Sequence, residues 1–224
     1  MENKQEDWDD GFIPSGCNGA KGVMIHVPRE NTSFVTIREK VLSPKCAKEL
    51  YETRKHGSTW GVYIPVQDIE SLRLKQSMQH GTNPILPVVH LNGKKVHGVS
   101  VWLIASSLSD EVAYHIDYAE MLRYQKNIIH PPLYGATLHL TPVAVEGGSL
   151  SMNLRGLDHY KTFQYKACRD KLDVNDSNWI TVPYVYNRAI LFDGDLPHFS
   201  SPVTQIPAGH QRVILGMWCY LSRA

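Results

Sequence analysis

Leu191-Phe192-Asp193-Gly194-Asp195-Leu196-Pro197-His198 decides how the rest of the chain is read. An apolar, strand-forming run ends in a Gly- and Asp-rich turn, and the chain then presents a histidine. Working outward, the same grammar recurs. Val99–Ala105, Leu133–Leu140, Ser149–Leu154, Tyr160–Tyr165, Trp179–Val185, Ala189–Phe192 and Val213–Tyr220 all read as short strands. Gly147-Gly148, Thr141-Pro142 and Pro202, Pro207 and Gly209 punctuate them. Many short strands with such turns predict a sandwich or barrel.

Upstream, Phe34–Ile37 reads as a first strand. Ser43-Pro44 then caps and opens a helix over about 44–55, because Ser accepts a backbone N–H and Pro lacks one that would go unused. His56-Gly57 reads as its stop. A second helix is read around Ile69–Met78, and Tyr118–Asn127 as a short helix or lid between strands. The expected architecture is mainly β, with helices in the N-terminal part packed on one side of an antiparallel core that starts near residue 99. Residues 1–20 are rich in Asp, Glu and Gly and read as a flexible acidic tail. Residues 21–224 read as one domain, since 224 residues suffice for one well-buried core.

Composition excludes several classes. Lys+Arg number 23 and Asp+Glu 22, so no basic excess favours a nucleic-acid backbone. Cys17, Cys46, Cys168 and Cys219 are scattered without a CxxC pair and read as reduced thiols. The polar N-terminus has no apolar signal core, and no apolar run reaches membrane-spanning length. The expectation is an intracellular, soluble protein, cytoplasmic or nuclear.

Eleven histidines make any one of them weak evidence. His115-Ile116-Asp117 differs because residues two apart on an extended segment face the same way. An imidazole and a carboxylate then converge, which is two thirds of the facial triad that binds non-haem Fe(II) and leaves positions open. His198 follows 81 positions after Asp117, far enough to come from another strand. Arg212 opens the next strand, and a guanidinium entering a barrel interior is costly unless it meets an anion such as a carboxylate. Each residue also has a plainer reading: Asp117 as a strand-end cap, His115 as a half-buried strand residue, Arg212 as an ion-pair partner of Asp193 or Asp195. Asp158-His159 reads as a surface loop, Trp102 and Trp218 as core, and Tyr118, Arg123 and Tyr124 as the solvated face of a helix.

The order His-x-Asp, distal His, then Arg resembles the 2-oxoglutarate/Fe(II)-dependent dioxygenases. Leu42-Ser43-Pro44 opening a helix with Trp60 beyond, Leu138-His139-Leu140-Thr141 before Glu146-Gly147-Gly148-Ser149-Leu150, and Phe192 through Val203 are similar to the prolyl-hydroxylase-like branch. The resemblance spans roughly residues 34–220. It implies a double-stranded β-helix, a jelly-roll core. It also implies Fe(II) held by His115, Asp117 and His198, with Arg212 on the distal carboxylate of 2-oxoglutarate and O2 as second co-substrate.

Two departures stand out. Relatives often carry Ser two residues after the Arg, where this chain has Ile214, and Tyr on the second core strand, where it offers His139, Thr137 or Tyr134. The implied activity is hydroxylation, or demethylation through a hydroxylated methyl group, of a small molecule or a protein side chain, with release of succinate. The competing expectations are a cupin-like metal enzyme, either an isomerase or a cofactor-independent dioxygenase, and a non-catalytic jelly-roll binding module.

Overall fold

The structure is a computed structural model, and it describes residues 23–24, 34–55, 57–68, 96–126, 128–163 and 172–221. Strands β1 (Val23–Met24), β2 (Val35–Glu39), β3 (Thr59–Pro65), β4 (Val96–Ser106), β5 (Val112–His115), β6 (Ile128–Ile129) and β7 (Tyr134–His139) come first. They are followed by β8 (Glu146–Gly147), β9 (Leu150–Asn153), β10 (Trp179–Val182), β11 (Arg188–Asp193), β12 (His198–Ser200), β13 (Val203–Gln205) and β14 (Arg212–Leu221). Helices α1 (Pro44–Arg54), α2 (Glu120–Lys126) and α3 (Leu157–Phe163) interrupt them. The expected acidic tail and the whole of the expected second helix lie outside the described residues, and positions 66–68, just before that helix, are helical. Cys17, Cys168 and the expected helix stop at His56 also lie outside them, while Cys46 and Cys219 are free thiols.

Two antiparallel sheets form the core. The larger has six strands in the order β2-β11-β7-β14-β4-β3, and the smaller has four in the order β10-β9-β12-β5. Side-chain alternation along each strand assigns the faces. On the large sheet, Leu103, Leu138, Leu215 and Val213 point outward and pack with Tyr51 of α1. Ser43 caps this helix by accepting from the Cys46 N–H at 3.3 Å, with Pro44 in its first turn, as the sequence predicts. Burying a side chain the size of Tyr51 contributes on the order of 2 kcal/mol, so α1 is held by its contact face. The opposite face of the large sheet then belongs to Trp102, Ile104 and Ser106 of β4, Arg212, Ile214, Gly216 and Trp218 of β14, and Gly135, Thr137 and His139 of β7. Between the sheets, Leu150, Met152, Val182, Ile190, Phe192 and Leu196 close one end as a dry cluster.

The run Tyr160–Tyr165 is a correction. Its residues read as a strand, yet α3 occupies Leu157–Phe163. Gly156 adopts φ 60°, a left-handed turn that ends the preceding strand segment. Leu157 and Tyr160, three apart, then meet Tyr114, Trp179 and Phe199 on the outer face of the small sheet. Burial on a helical period overrides the β preference of Tyr, Thr and Phe.

Gly147 is required where it stands. It has φ 73°, and a Cβ there would lie 2.1 Å from the Pro202 carbonyl oxygen. Gly147→Ala is expected to cost about 2–5 kcal/mol, from left-handed strain plus overpacking. Denaturant titration checks this, and a loss under about 1 kcal/mol would contradict it.

Candidate metal and anion site

His115 and His198 are cross-strand partners on β5 and β12 of the small sheet. Tyr114 and Ile116 point outward into the cluster under α3, so His115 and Asp117 point inward together. The two imidazoles lie 4.3 Å apart, centroid to centroid. Asp117 Oδ1 is 3.5 Å from His115 Nε2, and Oδ2 is 3.6 Å from His198 Nε2. One ligating atom from each residue falls within 4.8 Å of the others. Each histidine bonds a carbonyl two residues back through Nδ1, His115 to Ala113 at 2.7 Å and His198 to Leu196 at 2.8 Å. A carbonyl only accepts, so both Nδ1 atoms carry a proton and both Nε2 atoms face Asp117. That is how imidazoles are oriented for a metal.

Electrostatics support an ionised carboxylate between these rings. Burial pushes the Asp117 carboxyl up, but His198 and His115 outweigh it and hold it below the usual carboxylate range. The Trp218 indole N–H, directed at this carboxylate, adds slightly in the same direction. Burial, aided by repulsion from His115, pushes His198 down to about 4, so it is neutral at pH 7. Burial acts against a charged His115 too, but the adjacent Asp117 carboxylate prevails and raises its pKa.

The second half of the site lies on the large sheet. Arg212 is 0 % exposed. Its Nη1 donates to the Gly148 carbonyl at 2.9 Å and to the Ser200 hydroxyl, and its Nη2 to the Ser106 hydroxyl at 3.2 Å. Its Nε–H has no acceptor, and no carboxylate among the described residues forms an ion pair with it. The alternative partners Asp193 and Asp195 do not bond it. Gly148 brings the chain close, since a Cβ there would meet Arg212 Cδ at 2.7 Å.

His139 sits one strand away, with Ile214 of β14 paired directly beside it. Burial pushes it down to about 3, so it too is neutral. The Val185 backbone N–H lies 3.1 Å from His139 Nδ1 and can only donate. The Val185 carbonyl, which can only accept, is 3.2 Å from the same atom, so Nδ1 meets both backbone groups of Val185. His139 Nε2 is buried without a partner, and so is Thr137 Oγ1.

Six of the seven site residues named from the sequence line a single cavity of about 430 Å3. It brings together His115, Asp117, His198, Thr137, His139 and Arg212. Tyr134 is left out: on β7 it has the parity of Leu138, faces away from Thr137 and His139, and packs edge-on against Phe34 at 5.9 Å.

Other readings also change. Trp102 and Trp218 line the cavity floor instead of lying in closed core. His159 is buried in α3 with its Nδ1 2.8 Å from the Tyr114 hydroxyl, so Asp158-His159 is no surface loop. Arg123 is buried with its guanidinium 4.8 Å from the Tyr118 ring centroid, and Tyr118 lines the cavity, so these two residues do not lie on a solvated face. Sequence reasoning missed Ser106, Ser200 and Gly148. Ser200 was within reach, because it shares the inward parity of His198 on β12.

No protein-family model matches the chain, and comparison with curated proteins finds no match. Solved structures do match in shape. Apo HygX from Streptomyces hygroscopicus aligns over 85% of this chain and 82% of its own at 10% identity and TM-score 0.54. A prolyl-4-hydroxylase from Pseudomonas putida aligns over 84% and 85% at 14% identity and TM-score 0.46. An oxidoreductase of the 2OG-Fe(II) oxygenase family from Burkholderia pseudomallei aligns over 90% and 95% at 7% identity and TM-score 0.45. The layered antiparallel core described above is a jelly-roll, and the likeness to HygX bears on that fold alone.

Proposed function

We propose that the protein is an Fe(II)- and 2-oxoglutarate-dependent oxygenase that hydroxylates a small molecule or a protein side chain. His115, Asp117 and His198 would hold Fe(II) through two neutral nitrogens and one carboxylate. Iron, when bound, would supply the oxidation that couples decarboxylation of 2-oxoglutarate to attack on a substrate C–H by way of O2. Arg212, His139 and Thr137 would receive the distal carboxylate.

The observation that carries this reading is the unpaired guanidinium. A cation removed wholly from water without a counter-charge is expensive. Its spare Nε–H, His139 Nε2 and the Thr137 hydroxyl share one cavity with the metal-binding triad. Three unmet polar groups, the cationic fork among them, suit a carboxylate. A nucleic-acid substrate finds no support in the charge balance, and no helix among the described residues is long and apolar enough to cross a membrane.

The test is an anaerobic titration of Fe(II)-loaded protein with 2-oxoglutarate, read by the visible metal-to-ligand charge-transfer band. A band that His198→Ala abolishes supports the assignment. Bound iron with no band at saturating 2-oxoglutarate overturns it, and leaves a cupin-type metal enzyme that has no need of Arg212.

A pH dependence follows from the triad. Metal requires unprotonated Nε2 atoms, and His115 holds its proton to the highest pH of the two ligating imidazoles. Affinity for Mn(II) should therefore weaken as pH falls, by about tenfold per unit once pH is below the His115 pKa, which lies above 6.5. Calorimetry on the apoprotein from pH 8 to 6 checks this, and a flat affinity across the range would contradict it.

A further inference from the structure

The cavity holds more than the metal and an anion require. Trp102 of β4 and Trp218 of β14 lie on its floor with ring centroids 5.9 Å apart and planes 49° from parallel. Gly216, opposite Trp102 in the β4–β14 ladder, makes this possible. A Cβ at Gly216 would fall 2.0 Å from Trp102 Cε2, so the indole lies flat across β14 where any other residue would push it away. Both indole Nε1–H groups are buried; that of Trp218 is directed at the Asp117 carboxylate, and that of Trp102 lacks an acceptor. An indole nitrogen donates and never accepts.

The rest of the lining is uncharged, with Ser58, Thr59, Thr137, His139 and Ser200 among apolar residues. Apart from the triad and Arg212, the described lining residues bear no Asp, Glu, Lys or Arg. Ile104, Val112, Tyr118 and Ile214 join the two indoles as apolar wall. A charged group entering here would lose its hydration and find no counter-charge. A flat apolar body would gain the indole faces, and an oxygen on it would satisfy an N–H that is now unmet.

We infer that the part of the cavity floored by Trp102 is a substrate subsite for an uncharged ring or fused-ring group carrying a carbonyl or hydroxyl oxygen, stacked on the indole and accepting from its Nε1–H. The inference rests on the reading above, in which Arg212 and the triad are occupied by 2-oxoglutarate and metal. It excludes ammonium, guanidinium and phosphate groups from this subsite. Trp102 is thereby a specificity-determining residue.

Three shape-matched probes test it: 1-tetralone, tetralin, which lacks the oxygen, and 2-aminotetralin, which is cationic at pH 7. Each is titrated by ligand-observed NMR into the Mn(II)-free, Zn(II)-loaded protein with and without saturating 2-oxoglutarate. Tetralone should bind about tenfold more tightly than tetralin, the worth of one buried hydrogen bond, and the amine should bind at least tenfold more weakly than tetralone. Trp102→Phe keeps a ring and removes the donor, so it should bring tetralone to the tetralin level and leave tetralin unchanged. N-acetyl-tyrosinamide serves as a fourth probe. Binding of it ahead of tetralone would support a ring borne on a polypeptide, and weaker binding a free small molecule.

Equal affinity of amine and ketone would overturn the inference, as would an unchanged ketone-to-hydrocarbon ratio in Trp102→Phe or no ketone binding at millimolar concentration. The two readings separate cleanly. Tetralone binding alongside 2-oxoglutarate supports both. Tetralone binding to a protein that takes no 2-oxoglutarate sinks the co-substrate assignment and leaves the subsite standing.

Discussion

Arg212→Met should raise the dissociation constant for 2-oxoglutarate by about a hundredfold or more while leaving metal affinity within about twofold. The guanidinium would make at least two charge-assisted hydrogen bonds to the carboxylate, each worth about 1.5–3 kcal/mol, and tenfold in affinity is about 1.4 kcal/mol. Methionine fills similar volume without charge. The apoprotein should keep its stability within about 2 kcal/mol, because relief of an unpaired buried cation offsets the loss of bonds to Gly148, Ser200 and Ser106. Arg212→Lys keeps the charge but not the fork and should weaken 2-oxoglutarate by roughly tenfold. Calorimetry with 2-oxoglutarate on the Zn(II)-loaded protein, beside thermal melts of the apoprotein, reads both quantities. A Met variant that binds 2-oxoglutarate normally would remove Arg212 from the site.

Asp117→Asn should cost metal affinity at least about a hundredfold, more than the ten- to hundredfold that follows loss of a residue merely supporting a ligand. The substitution keeps shape and removes charge. It has a second signature in the metal-free protein. The Asp117 carboxylate is what lifts His115 against the effect of burial. Without it, burial is opposed only by the bond to the Ala113 carbonyl, the smallest of the effects, and the His115 pKa should fall below the ordinary histidine value of about 6.5. Ring-proton NMR across pH 4–8 reads the shift directly. An unchanged His115 titration would mean that the carboxylate does not face this ring, and the triad would fail on geometry.

The parts of this site that could be read beforehand rest on alternation along a strand. His115 and Asp117 are two apart, and that spacing alone aims them together. The same logic shows why Thr137 and His139 converge and why Tyr134 does not, since Tyr134 sits an odd number of residues from both. The helix at Pro44 was legible because Ser43 and Pro44 act locally. What escaped depends on register between distant strands. Trp102 looked like core because nothing in the sequence says that Gly216 stands opposite it. Tyr160–Tyr165 looked like a strand because residue type speaks for β, while the pull of Tyr114, Trp179 and Phe199 on a helical face is tertiary. Burial of His159 against Tyr114 has the same origin.

His115 and His198 stand on the four-stranded sheet with Asp117 two residues beyond β5, and Arg212, His139 and Thr137 stand on the six-stranded one. A dicarboxylate reaching from one set to the other would act as a rivet through the sandwich. Separating the two layers would then require expelling it, so its binding energy becomes resistance to opening. By linkage this amounts to about 2.7 kcal/mol at a hundred times the dissociation constant. Arg212 already makes a smaller version of that tie, reaching Ser106 on its own sheet and Ser200 on the other. On the function proposed above, the abundance of such a dicarboxylate would set how firmly the two layers are fastened.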